Sequence, residues 1–149
     1  MSLFDTISED IKKAMLAKEK EKLEALRAIK AAFLLARTEA GAGGELTPEA
    51  ELKIVQRLVK QRKESAEIFQ QQNRTDLADK ELLEASVIEK YLPAQMSEQE
   101  LETVLKAIIE RLGAKLPSDM GKVMGVATKE LSGKADGKAI STKVKQLLS

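Results

Sequence analysis

The residues nearest to phosphate chemistry are Gly133-Lys-Ala-Asp-Gly137-Lys138. Glycines that turn a chain at helix ends expose backbone amides, and a lysine beside them adds positive charge, a combination that suits a phosphate oxygen. The stretch is not a nucleotide P-loop. Its glycines are one residue too close, Ala139 stands where a Ser or Thr hydroxyl is needed, and no strand pattern precedes it. Upstream, Asp119-Met-Gly-Lys-Val-Met-Gly125 sets Gly121 and Gly125 one helical turn apart. There Met120, Val123, Met124 and Ala127 form the apolar stripe of an amphipathic helix. A glycine inside a helix costs about 0.5–1 kcal/mol relative to Ala. A helix that keeps two on one face needs a bare surface there, for another helix backbone to pack against or for a ligand to approach the main chain.

Charge is distributed unevenly. The whole chain has a net charge of +1. Residues 1–91 carry 16 basic against 17 acidic side chains, whereas residues 115–149 carry 7 lysines against 3 acids. Those lysines are Lys115, Lys122, Lys129, Lys134, Lys138, Lys143 and Lys145. Such a tail can meet phosphates, or it can be an ordinary solvated surface. No aromatic residue follows Tyr91, so RNA contacts from the tail would go to backbone and shape rather than to bases stacked on rings.

Other chemistries are excluded by absence. With no cysteine and no histidine, the chain has no disulfide, no thiol nucleophile, no Cys/His zinc site and no histidine base. Neither a dinucleotide-binding glycine motif nor a Gly-x-Ser-x-Gly nor a Ser-x-x-Lys occurs. Carboxylates sit beside lysines, as in Glu19/Lys22 and Glu64/Lys60, which supports helices rather than catalysis. No catalytic residue, metal site or cofactor is predicted. The N-terminus lacks the basic-then-apolar order of a signal peptide, and the apolar run Ala31–Ala36 is too short for a membrane span. The sequence alone therefore reads as cytoplasmic, with no membrane association.

The elements that position these residues are all helical. Aromatics are only 3% of the chain, so the core must be Leu, Ile, Val, Ala and Met. Apolar spacing gives a helix from Leu3 to about Ala17, and another through Leu23, Leu26, Ile29, Phe33 and Leu34. Whether these are one helix or two meeting at Lys18–Lys20 is open. A glycine-rich connector, Ala40–Gly44, follows. Thr47-Pro48-Glu49 starts a third helix that runs to about Gln72, with Arg62 on its apolar stripe as either the partner of a neighbouring acid or a ligand contact. A fourth helix runs to Leu92-Pro93, where the proline ends it and sets the domain boundary. Beyond it, Ser97-Glu-Gln-Glu100 forms a capping box for a helix that stops at Gly113. Pro117-Ser118-Asp119 caps the glycine-bearing helix, and Asp136 caps the last one. The fold class is all-α, with an N-terminal helical domain over 1–92 and a small C-terminal three-helix domain over 93–149.

Several motifs resemble one family along the whole chain. Tyr91-Leu-Pro-Ala-Gln-Met96 with Ser97–Glu100, Asp119–Gly125, and Gly133–Gly137 with Val144-Lys145 look like the stand-alone YqeY family, as do Lys60-Gln-Arg-Lys63, Ser65 and Phe69. The part after Pro93 is similar to the C-terminal tail of GatB, the B subunit of the glutamine-dependent amidotransferase that corrects mischarged Glu-tRNA(Gln) or Asp-tRNA(Asn). GatB tails often carry Asn-Pro after the Gly-Lys-Ala, where this chain has Asp136-Gly137. The resemblance implies the two-part helical fold and a tail that helps to hold tRNA. It nominates Gly121, Lys122, Gly125, Gly133, Lys134 and Lys138 as contacts to a nucleic-acid backbone. The family is also described as carbon–nitrogen ligases with glutamine as amido-N-donor, but the chain supplies no residue for that reaction. The partners implied are tRNA, through the C-terminal domain, or a protein; a helical protein-interaction module without nucleic acid is the alternative reading.

Overall fold

The computed structural model describes residues 2–39 and 44–149. Most of the Ala40–Gly44 connector therefore lies outside the described residues. Among the described residues, seven α-helices and one 3₁₀ turn follow in order: α1 (Leu3–Leu16), α2 (Lys20–Glu39), α3 (Pro48–Gln71), α4 (Thr75–Glu89), α5 (Glu98–Leu112), the turn Pro117–Asp119, α6 (Met120–Glu130) and α7 (Gly137–Leu147). The fold is all-α, with no strand among the described residues. The chain divides into two compact units, Met1–Leu92 and Pro93–Ser149.

In the first unit, α1 starts with a reciprocal capping box. The Ser2 hydroxyl accepts from the Asp5 amide at 3.1 Å, and the Ser2 amide donates to the Asp5 carboxylate at 3.3 Å. Leu16 ends α1, and Lys18 then takes a left-handed φ of 57°. The amides of Lys18 and Glu19 turn back to the carbonyls of Met15 and Ala14, the two bonds of a Schellman motif. So α1 and α2 are separate helices. Asn73 makes the same turn after α3, with φ 59° and bonds from Asn73 and Arg74 back to Gln70 and Phe69. Thr47 caps α3 as its sequence predicts, accepting from the Ala50 amide at 3.1 Å. The helix α4 stops at Glu89, three residues short of the expected end. Its final turn tightens into Tyr91-to-Ile88 and Leu92-to-Glu89 bonds as the chain approaches Pro93.

The core of this unit joins Ile7, Leu26, Ile29, Phe33, Val55 and Ile88, all fully buried. Each such side chain contributes roughly 1.5–3 kcal/mol by leaving water. Glu51 is the one buried charged residue among those described, and its carboxylate accepts the Phe4 amide of α1 at 3.0 Å. Arg62 pairs with Glu84 of α4 at 3.2 Å, with both side chains under one-fifth exposed. That accounts for an arginine on an apolar stripe: its stem packs in the core while its head reaches a neighbouring acid.

The second unit packs α5, α6 and α7 against one another around Leu105, Ile108, Val123, Ile140 and Val144. Gly113 closes α5 with φ 67° and a Schellman pair from Gly113 and Ala114 to Glu110 and Ile109. Ser97 caps the start of α5 by accepting from the Glu100 amide at 3.1 Å. Asp119 works differently from expectation. Its carboxylate reaches back to the Lys115 and Leu116 amides at 3.0 and 3.1 Å, fastening the 3₁₀ turn that delivers the chain to α6. Those two donated bonds, helped by the charge of Lys122, hold the carboxyl below the usual carboxylate range.

Candidate nucleic-acid interface

The turn between α6 and α7 is built from its backbone outward. Gly133 is buried with φ 77°, a conformation that L side chains rarely adopt. Its carbonyl accepts the Gln95 side-chain amide at 2.8 Å, and the same nitrogen donates to the Pro93 carbonyl at 3.0 Å. One residue on, the Lys134 carbonyl accepts the Met96 amide at 3.1 Å. Four backbone and side-chain groups thus stitch the segment before α5 to the turn before α7. The result fixes where the Lys134 side chain leaves the surface.

A groove of about 490 Å³ lies beside this turn. Met96, Leu101, Ala135 and Ala139 give it an apolar floor. Lys134 and Lys138 also line it and are exposed, and among the described residues neither has an ion-pair partner. Lys143 enters from α7 with its side chain only 14% exposed and pairs at 3.3 Å with Glu98, whose own side chain is 82% exposed. Asp136, at the N-cap of α7, is the other acid in the lining.

The six nominated residues do not form one cluster. Lys134 and Lys138 share the groove, and Gly133 shapes the turn that carries Lys134 while being itself buried. Gly121, Lys122 and Gly125 stand on α6, outside the groove lining, and all three are exposed. A Cβ added at Gly121 or Gly125 would meet nothing within 4 Å. The two glycines therefore make no close helix contact within the described residues, and they leave a strip of bare backbone open to solvent. Sequence reasoning missed the roles of Gln95, Met96 and Glu98 at this site, and it counted Lys143 only as one of the tail lysines. The only signal for them is the Tyr91–Glu100 motif itself, since the pairing of Glu98 with Lys143 spans 45 residues.

Among the described residues no group of three His, Cys, Asp or Glu side chains is placed to hold a metal ion. No described helix is long and apolar enough to cross a membrane.

Residues 4–148 match the model of the Yqey-like protein family. The chain belongs to the YqeY family. Curated relatives of this YqeY-family chain come from fungi. One from Clavispora lusitaniae is 30% identical over 133 residues, covering 88% of this chain and 75% of the relative. One from Pyrenophora tritici-repentis is 30% identical over 144 residues, with coverages of 93% and 77%. One from Saccharomyces cerevisiae is 32% identical over 140 residues, with coverages of 91% and 71%. All three are named "Altered inheritance of mitochondria protein 41, mitochondrial". Those names overturn the cytoplasmic expectation, which rested on the residue types at the N-terminus and on the lack of a long apolar run. The compartment named for the relatives is the mitochondrion.

Proposed function

We propose that this YqeY-family protein is a non-catalytic tRNA-binding accessory, acting beside the tRNA-dependent amidotransferase whose B subunit its C-terminal unit resembles. One observation carries the reading. Lys134 and Lys138 are exposed on a single groove, at a turn held by the Gln95 and Met96 hydrogen bonds, with no ion pair among the described residues to quench them. Lysines fixed by a rigid turn suit a phosphate backbone, because the ordering cost of the main chain is met on folding rather than on binding. The exposed α6 strip of Gly121, Lys122 and Gly125 offers a second approach to RNA, where the lack of side chains lets a sugar–phosphate chain come close to the helix. The names of the relatives support a mitochondrial setting. The test is anisotropy of labelled bulk tRNA with the full chain and its Lys134→Gln/Lys138→Gln variant. A loss of roughly tenfold or more is expected from two phosphate contacts; an unchanged affinity removes the assignment.

A second reading, a protein-interaction module, draws on the first unit. Leu34 and Leu35 on α2 are 47% and 60% exposed, adjacent on one face with Ala31 and Thr38. This is a stripe that a partner helix could cover. A stoichiometric, nuclease-insensitive partner that is lost on Leu34→Ser/Leu35→Ser would favour this reading over tRNA binding.

A further inference from the structure

The groove beside α7 has a shape that backbone binding alone does not require. A surface that only neutralises phosphates can be convex and wholly polar, since Coulomb attraction needs charge and no cavity. Here the lysines stand around a concave floor of Met96, Leu101 and Ala139. Its volume of about 490 Å³ falls in the range of about 300–1,000 Å³ typical of small-molecule sites. An apolar floor with Lys134 and Lys138 at its edge fits a ligand with a flat apolar part joined to an anion. In RNA that ligand is a nucleotide whose base is not stacked in a helix. We propose that this groove receives one unpaired nucleotide of the bound RNA, with its base on Met96 and Leu101, its phosphate at Lys134 and Lys138, and Lys143 released from Glu98 to join them. The inference rests on the tRNA-binding reading and names the part of the RNA that the site takes.

The floor needs no aromatic ring. A methionine thioether is polarisable and packs favourably against aromatic faces and edges. Met96 is also held in place, because its amide is bonded to the Lys134 carbonyl. The Glu98–Lys143 pair looks at first like an obstacle, since Glu98 brings negative charge to an anion site. Its exposure argues otherwise. Glu98 is 82% exposed while Lys143 is 14% exposed, so the carboxylate is the partner free to swing away. With its carboxylate in water, the pair is screened on one side, and Glu98 gives up little solvation by leaving or returning. Glu98 also occupies the first turn of α5, where the helix dipole favours an acid with or without a lysine. The pair thus keeps Lys143 neutralised until an arriving phosphate takes the place of the carboxylate. Asp136 remains as the single acid in the lining once Glu98 has moved.

Methyl NMR of the full chain, labelled at the methionine Cε, tests this directly. The probes are a short single-stranded RNA, a blunt RNA duplex, ribose 5-phosphate and inorganic phosphate. A base resting on Met96 moves its methyl resonance by ring current, while Met15 serves as an internal control. The single strand is expected to move Met96, and the other three probes to leave it in place. Glu98→Gln, which removes the competing charge, is expected to tighten binding of the single strand roughly two- to fivefold. Lys143→Gln is expected to weaken it about tenfold, and Lys138→Gln, at an exposed position, gives the same direction without a risk to folding. Suppose tRNA binds and depends on Lys134 and Lys138, yet Met96 stays still with every RNA. The nucleotide inference then fails while the tRNA reading stands. A duplex that moves Met96 as far as the single strand does, or a Glu98→Gln variant that binds the single strand more weakly, overturns it equally. If tRNA itself does not bind, the parent reading falls.

Discussion

The Tyr91 hydroxyl donates a 2.6 Å hydrogen bond to the Asp10 carboxylate, joining the end of α4 to α1 across 81 residues of sequence. Burial, the Asp10 hydrogen bond and the Asp10 charge together push the phenol well above its ordinary value. Tyr91→Phe deletes the donor and leaves a partly buried carboxylate without it, at an expected cost of about 1–2 kcal/mol in urea unfolding. The pH dependence follows from the same shift. An unfolded tyrosine loses its proton near pH 10, whereas the folded one retains it there. The contribution is therefore fully present below pH 10 and declines as pH rises beyond it. The Phe variant should lack that component of alkaline destabilisation. An identical alkaline decline in both proteins would show that Tyr91 plays no part in it.

Lys18 supplies the second prediction. It holds the left-handed position of a Schellman motif that glycine fills most easily. A side chain there costs about 1–2 kcal/mol, partly offset by the greater entropy that glycine loses on folding. Lys18→Gly is expected to raise stability by about 0.5–1 kcal/mol, measured by thermal or urea unfolding. A loss of stability would mean that the α1–α2 corner is not built this way.

Gly121 and Gly125 make a third, with two readouts. Because a Cβ at either position meets open space, Gly121→Ala and Gly125→Ala should each stabilise α6 by about 0.5–1 kcal/mol. If RNA approaches the bare α6 strip, the same two substitutions weaken tRNA binding while they raise the melting temperature. Greater stability with unchanged affinity would remove α6 from the interface and leave the groove.

The Arg62–Glu84 pair gives the fourth. Both side chains are largely buried, so Arg62→Met strands the Glu84 carboxylate at an expected cost of roughly 2–3 kcal/mol. Adding Glu84→Leu should recover much of that loss, because an apolar pair fits the same site without desolvated charge. A double variant no more stable than Arg62→Met would contradict the account.

The helices were legible in the sequence because their apolar stripes are regular and their caps carry local mechanism, as at Thr47 and Ser97. The break at Lys18 was not legible, because lysine is a good helix former and nothing in its type announces a left-handed turn. Arg62 could be assigned a partner by type, an acid on a neighbouring helix, but Glu84 emerges only from the way α3 and α4 pack. By type and position Asp119 suits the cap of the helix that follows; its carboxylate turns back instead to Lys115 and Leu116. Gly121 and Gly125 suit either helix packing or a ligand's approach to the main chain, and the structure leaves them open to solvent. The groove was least visible of all. Its lining comes from two segments about 40 residues apart, and the decisive Met96–Lys134 and Glu98–Lys143 contacts have no local signature.

The central claim is that Lys134 and Lys138 bind the RNA backbone, and a salt titration of tRNA affinity tests it most directly. Anisotropy of labelled tRNA is followed between low and physiological salt for the full chain and for Lys134→Gln/Lys138→Gln. The log of the affinity should fall linearly with log salt, and each lost phosphate contact should flatten that slope by about 0.7–0.9. A slope shallower by about 1.4–1.8 in the double variant is the predicted result. Parallel lines for the two proteins, or no binding by the full chain at low salt, would contradict it.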